Sequence, residues 1–159
     1  MSGSAERPVV GRLRDRLAGA VDVQAHPLDV EEACGRYAGD GYEVTPRLRE
    51  FLAEYGELTL TFTARPWRFV VTTSVARTLE SNHATPRSVG IFARRLQRPV
   101  LLVGTAFETE EALLLAGNGD VLLYGDAGFQ QVANGFENTV RAFATGEWDR
   151  TFFRSQAER

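Results

Sequence analysis

Between Thr45 and Phe62 the spacing of apolar side chains changes abruptly, with Gly56 at the change. Leu48, Phe51, Leu52 and Tyr55 recur at i, i+3, i+4 and i+7, which places all four on one face of a helix. Thr45 offers an oxygen to cap an early amide. Pro46 is tolerated in the first turn because that amide has no intrahelical partner. After Gly56, Leu58, Leu60 and Phe62 alternate with Thr59, Thr61 and Thr63, the pattern of a half-buried strand. A chain that passes directly from amphipathic helix to half-buried strand requires a mixed architecture, with helices covering a sheet.

The same grammar extends in both directions. Leu13, Leu17 and Ala20 predict a first helix near 9–20. Asp29 and Glu32 have capping-box spacing, and Val30, Ala33, Cys34 and Tyr37 share the helical face that follows. Gly39 and Gly41 end that helix. After a break at Arg65-Pro66, Trp67, Phe69 and Val71 alternate with polar neighbours and predict the second strand of a hairpin, with Trp67 on its core side. Residues 74–85 give no clear pattern, and Asn82–Thr85 reads as a loop. Thr85-Pro86 repeats the Thr45-Pro46 cap before Val89, Phe92, Ala93 and Leu96, a helix to about Gln97. Val100–Val103 is a continuous apolar run, as expected of a strand buried on both faces. Glu108, Glu110 and Glu111 fall in a polar loop. Ala112–Ala116 and Val121–Tyr124 form a hairpin about Asn118-Gly119-Asp120. Phe136, Val140, Phe143 and Ala144 mark a last helix closed by Gly146, with Trp148 beyond it covering an edge of the core. The expected fold is one α+β domain over residues 9–150, a mainly antiparallel sheet with helices packed against it. A flexible 1–8 and a tail at 151–159 flank it.

Bulk properties narrow the function classes. The chain has 159 residues and a formal net charge of −3, which disfavours a nucleic-acid ligand, since a phosphate backbone needs a basic face. All 18 cationic side chains are Arg. Cys34 is the sole cysteine, so no internal disulfide can form, which suits a reducing cytoplasm. No signal-peptide pattern opens the chain, and no apolar run is long enough to span a membrane.

A search for chemistry finds little. His26 and His83 stand in predicted loops without a nucleophile motif around them, and Cys34 faces inward on its helix. No His or Cys pair has metal-ligand spacing, and Glu108–Glu111 lacks the pattern of a calcium loop. Gly117–Gly119 and Gly125–Gly128 match no phosphate-binding fingerprint and read as turns. No catalytic residue, cofactor site or metal site is expected.

The run Gly41-Tyr42-x-Val44-x-Pro46-x-Leu48-x-x-Phe51-Leu52-x-x-Tyr55-Gly56-x-Leu58 resembles the signature of the SUKH superfamily, and of its SUKH-3 branch in particular. Arg95–Gly104, Ala112–Tyr124 and Ala142–Gly146 resemble later blocks of that family, so the similarity spans about residues 28–148. Two departures stand out: Glu57 where members often carry a second Gly, and Leu102 where many carry Pro. The resemblance implies an immunity protein that binds and occludes a cognate toxin domain, commonly a nuclease or another nucleic-acid-modifying enzyme. It implies a one-to-one protein complex, with no direct contact to nucleic acid or membrane. Such toxins are often basic where they hold their substrate, so acidic loops would speed association. The candidate partner-binding residues are Glu108, Glu110, Glu111 and Asp126. An interaction scaffold of the same superfamily is the alternative, and a small ligand-binding domain or enzyme a third reading.

Overall fold

The structure, a computed structural model, describes residues 7–17, 19–63 and 68–152. Among the described residues seven strands form one antiparallel sheet in simple sequential order. They are β1 (Val21–Ala25), β2 (Leu58–Phe62), β3 (Phe69–Thr72), β4 (Val100–Ala106), β5 (Glu111–Ala116), β6 (Asp120–Gly125) and β7 (Gly128–Asn134). The helices among the described residues are α1 (Pro8–Arg16), α2 (Val30–Gly39), α3 (Pro46–Tyr55), α4 (Val75–Leu79), α5 (Pro86–Leu96) and α6 (Phe136–Thr145). The expected α+β domain is therefore present. Two strands and the short α4 add to the elements read from sequence. The first helix ends at Arg16, and Val21 already pairs with Phe62 in the sheet. The position expected for Trp67 lies outside the described residues.

The caps behave as their chemistry requires. Asp29, Thr45 and Thr85 accept the amides of Glu32, Leu48 and Ser88. Around Thr85 the capping box is complete, because the Ser88 hydroxyl also accepts the Thr85 amide at 2.7 Å.

The sheet is nearly divided in two. β3 pairs with β4 only at Val71–Ala106 and Thr72–Thr105. A bulge follows in β4 between Leu102 and Gly104, and the first half of β4 has α4 alongside it instead of a strand. Gly104 makes the join possible: a Cβ there would sit 2.5 Å from the Thr72 carbonyl oxygen. One face of the sheet buries Leu60, Phe62, Val71, Leu113 and Leu123 beneath α1, α6 and Phe51 of α3. On the other face Leu102, Leu114, Leu122 and Phe129 pack under Val89, Phe92 and Leu96 of α5. Covered on both sides, β4, β5 and β6 are apolar at nearly every position. A third cluster joins Cys34 and Tyr37 of α2 to Leu48 and Leu52 of α3 and Val75 of α4.

Several residues of the Gly41–Leu58 run have a task in this arrangement. Tyr42 packs edge-on against Tyr37, with ring centroids 5.7 Å apart. The buried Tyr37 hydroxyl donates to the Leu102 carbonyl at 2.8 Å, on the half of β4 that lacks a β3 neighbour. Burial first, then nearby negative charge, pushes this phenol well above the usual tyrosine value, so it stays a donor. The Tyr55 hydroxyl donates to Glu137 at the start of α6 at 2.8 Å. Glu137 also accepts from Arg12 of α1 at 2.9 Å, so three helices meet at one carboxylate. Gly56 follows because a Cβ would lie 2.6 Å from the Leu52 carbonyl oxygen.

Glu57 occupies the left-handed region at φ +57°, where a second glycine would rest without strain. Its carboxylate accepts the Val75 amide at 3.0 Å, at the first turn of α4. The departure from the family pattern thus carries its own compensation.

Candidate partner-binding surface

In an antiparallel meander alternate hairpin turns share one end of the sheet. The β4–β5 turn at 107–110 and the β6–β7 turn at Asp126-Ala127 are therefore neighbours. Glu111 is the first residue of β5, paired with Ala106, and not a loop residue as its polarity suggests. Strand pairing directs its side chain against Gly125, where a Cβ would lie 2.9 Å from Glu111 Cγ. The next residue is Asp126, fully exposed at the tip of its turn. Fifteen positions separate Glu111 from Asp126 in sequence, and the meander closes that gap.

The loop after α4 ties this end together. His83 Nε2 lies 3.0 Å from the Thr109 carbonyl oxygen, and His83 Nδ1 lies 3.7 Å from Asp126. The Ser81 hydroxyl donates to the Glu110 carbonyl at 3.2 Å. The loop thereby fastens the β4–β5 turn and brings His83 near Asp126 of the other turn, a role that its isolated place in the sequence does not signal.

The four acidic residues are not equally available. Arg77 Nη2 stands 3.9 Å from Glu110, and Glu110 has a left-handed backbone at φ +53°. Glu111 accepts from the Thr109 hydroxyl at 3.1 Å. Glu108 is exposed and has no hydrogen bond or ion pair among the described residues. Glu108 and Asp126 are thus the charges best presented to solvent, while Glu110 and Glu111 are partly engaged by the fold.

The histidines and the cysteine are placed as structural groups. Among the described residues, no group of three or more His, Cys, Asp and Glu is placed to hold a metal ion. His26 shares a hydrogen-bonding contact with the Thr59 hydroxyl at 3.1 Å, and Cys34 is buried in the helical cluster. No helix among the described residues is long and apolar enough to cross a membrane.

The fold is a seven-stranded antiparallel meander clad by helices, an α+β domain with acidic turns at one end. The SUKH-3 immunity protein family matches residues 22–146, most of the chain, and the protein belongs to that family. The match extends the resemblance read from 28–148 into β1, which the sequence reading had missed. No curated protein and no solved structure matches the chain. Family membership points to toxin immunity through binding of a cognate toxin protein.

Proposed function

We propose that the protein neutralises one cognate toxin domain by forming a one-to-one complex that covers the toxin's active site or substrate channel. The observation that carries this reading is membership of the SUKH-3 immunity family over residues 22–146. The toxin we infer is a nuclease or another enzyme acting on nucleic acid, whose substrate channel is basic. The acidic end of the sheet supports that choice. Glu108 and Asp126 are the most exposed carboxylates there, and Glu110 and Glu111 are half-buried. Like charges at a loop-built end raise the local potential and steer a basic partner into contact. The chain binds no nucleic acid itself in this account and acts in the cytoplasm, where the toxin would otherwise work. Inhibition requires no catalysis: the complex excludes substrate by occupying its space.

Stopped-flow association with the toxin domain tests the surface. Replacing Glu108, Glu110 and Glu111 by Gln, with Asp126→Asn, is expected to slow association several-fold at low salt and to flatten its salt dependence. Dissociation should change much less. Association kinetics that match the wild type at every salt concentration would remove this end from the interface.

A further inference from the structure

A second surface lies away from the acidic turns, by the start of β4 where the sheet divides. Pro86, Val89, Gly90 and Ala93 form one stripe of α5 and face Tyr42 and the start of β4 across a cleft of about 340 Å³. That volume suits a small ligand or an anchoring side chain. Gly90 keeps the cleft open. A Cβ there would meet only the end of Arg94, whose Nη1 lies 3.9 Å away. A mid-helix glycine weakens a helix, and no neighbouring backbone requires this one.

The charge along this rim is one-sided. Residues 87–98 contain Arg87, Arg94, Arg95 and Arg98 and no carboxylate. Arg98 stands 3.7 Å from Asp120. Arg87, Arg94 and Arg95 are exposed and have no ion pair or hydrogen bond among the described residues. Arg87, Gly90 and Arg94 are spaced i, i+3 and i+7 and share one face of α5, with Arg94 Nη1 3.9 Å from where a Gly90 Cβ would lie. Tyr42 lines the opposite wall, beside Glu43. Its hydroxyl has no partner among the described residues. Burial and then Asp40 push this phenol up to about 12, so it remains a donor at neutral pH.

We propose that this cleft receives an extended acidic segment of a protein partner. One apolar side chain enters between Tyr42 and Gly90, and flanking carboxylates engage Arg87 and Arg94. The Tyr42 hydroxyl donates to a carbonyl or carboxylate of the segment. Charge complementarity selects this occupant: the α5 rim offers only cations, and the carboxylates Asp40 and Glu43 lie on the far side with Tyr42. The surface differs in sign and position from the acidic end, so either can fail while the other holds.

Nitrogen-15 NMR titration of the full chain with two peptides tests the inference. The probes are acetyl-Glu-Leu-Phe-Asp-amide and acetyl-Lys-Leu-Phe-Lys-amide. The acidic peptide is expected to shift the backbone amides of Tyr42, Gly90 and Ala93 saturably, and the basic one to bind at least about tenfold more weakly. Gly90→Leu fills the cleft and is expected to weaken the acidic peptide at least about tenfold. Arg87→Glu with Arg94→Glu, both on the surface, should abolish the preference for the acidic peptide without touching the core. The inference is overturned if the acidic peptide gives no saturable shift, if both peptides bind alike, or if neither variant alters binding.

Discussion

Glu57 joins α3 to β2 with two opposed effects built into one residue. Its left-handed backbone, at φ +57°, costs a non-glycine residue about 1–2 kcal/mol. Its carboxylate supplies a partner for the Val75 amide at 3.0 Å, a charge-assisted bond whose loss costs about 1–2 kcal/mol. Glu57→Ala removes the acceptor and keeps the strained backbone, so it should destabilise by about 1–2 kcal/mol. Glu57→Gly removes both. Strain relief is partly offset by the greater freedom of glycine in the unfolded chain. The glycine variant should therefore lie about 1 kcal/mol above the alanine variant and close to the wild type. Urea unfolding measures the order directly, as shifts in midpoint at constant slope. If Ala is as stable as the wild type, the Val75 amide does not depend on Glu57. If Ala and Gly are equal, residue 57 is not held in the left-handed region.

Three further outcomes follow from the packing. Tyr37→Phe leaves the Leu102 carbonyl without its 2.8 Å donor and should cost about 1–3 kcal/mol in urea unfolding, whereas Tyr42→Phe, which breaks no bond in the described structure, should be near neutral. Gly104→Ala places a methyl 2.5 Å from the Thr72 oxygen, so the two-pair join of β3 to β4 must shift, at about 1–3 kcal/mol; amide exchange should quicken at Val71 and Thr72 before it does in β5. Burial pushes the Glu137 carboxyl up, but hydrogen bonds from Arg12 and Tyr55 and the charges of Arg12 and Arg16 outweigh it and leave the group below its ordinary value. The folded state therefore holds this proton less tightly than the unfolded chain. The resulting stability is present above the unfolded pKa and is lost as pH falls through the lower folded one. The gap between wild type and Glu137→Gln in urea midpoint should be widest near neutrality and narrow in acid. A gap that does not change with pH would contradict that linkage.

The parts of the fold that sequence periodicity revealed are those with strong one-sided or complete burial. α3, α5 and α6 each present a full apolar stripe with a cap or a glycine stop, and β4 reads as an unbroken apolar run because helices cover both its faces. The two missed strands are the two edges of the sheet. In β1 only Val23 is buried, between Asp22 and Gln24, so Leu17 and Ala20 favoured a longer helix instead. In β7 Phe129 and Val132 are buried on opposite faces of the sheet with two glutamines between them, so no one-sided apolar alternation shows. α4 has five residues, too few to show a helical repeat. The acidic residues were recognisable as a group only by charge. Their meeting at one end depends on strand register, which moved Glu111 into β5, and on His83, whose partners come from two distant turns. The α5 cleft left a trace in sequence, the Arg-rich and acid-free stretch 87–98, but its depth depends on where Tyr42 sits against Pro86 and Gly90.

Titration of the purified chain against the C-terminal domain of any large secreted protein encoded beside it bears most directly on the immunity reading. Heat of binding and residual toxin activity should be followed in the same samples. The account predicts saturation at one chain per toxin domain, with activity falling to background at that same ratio. A chain that unfolds cooperatively in urea, yet neither binds that domain nor lowers its activity, would contradict it.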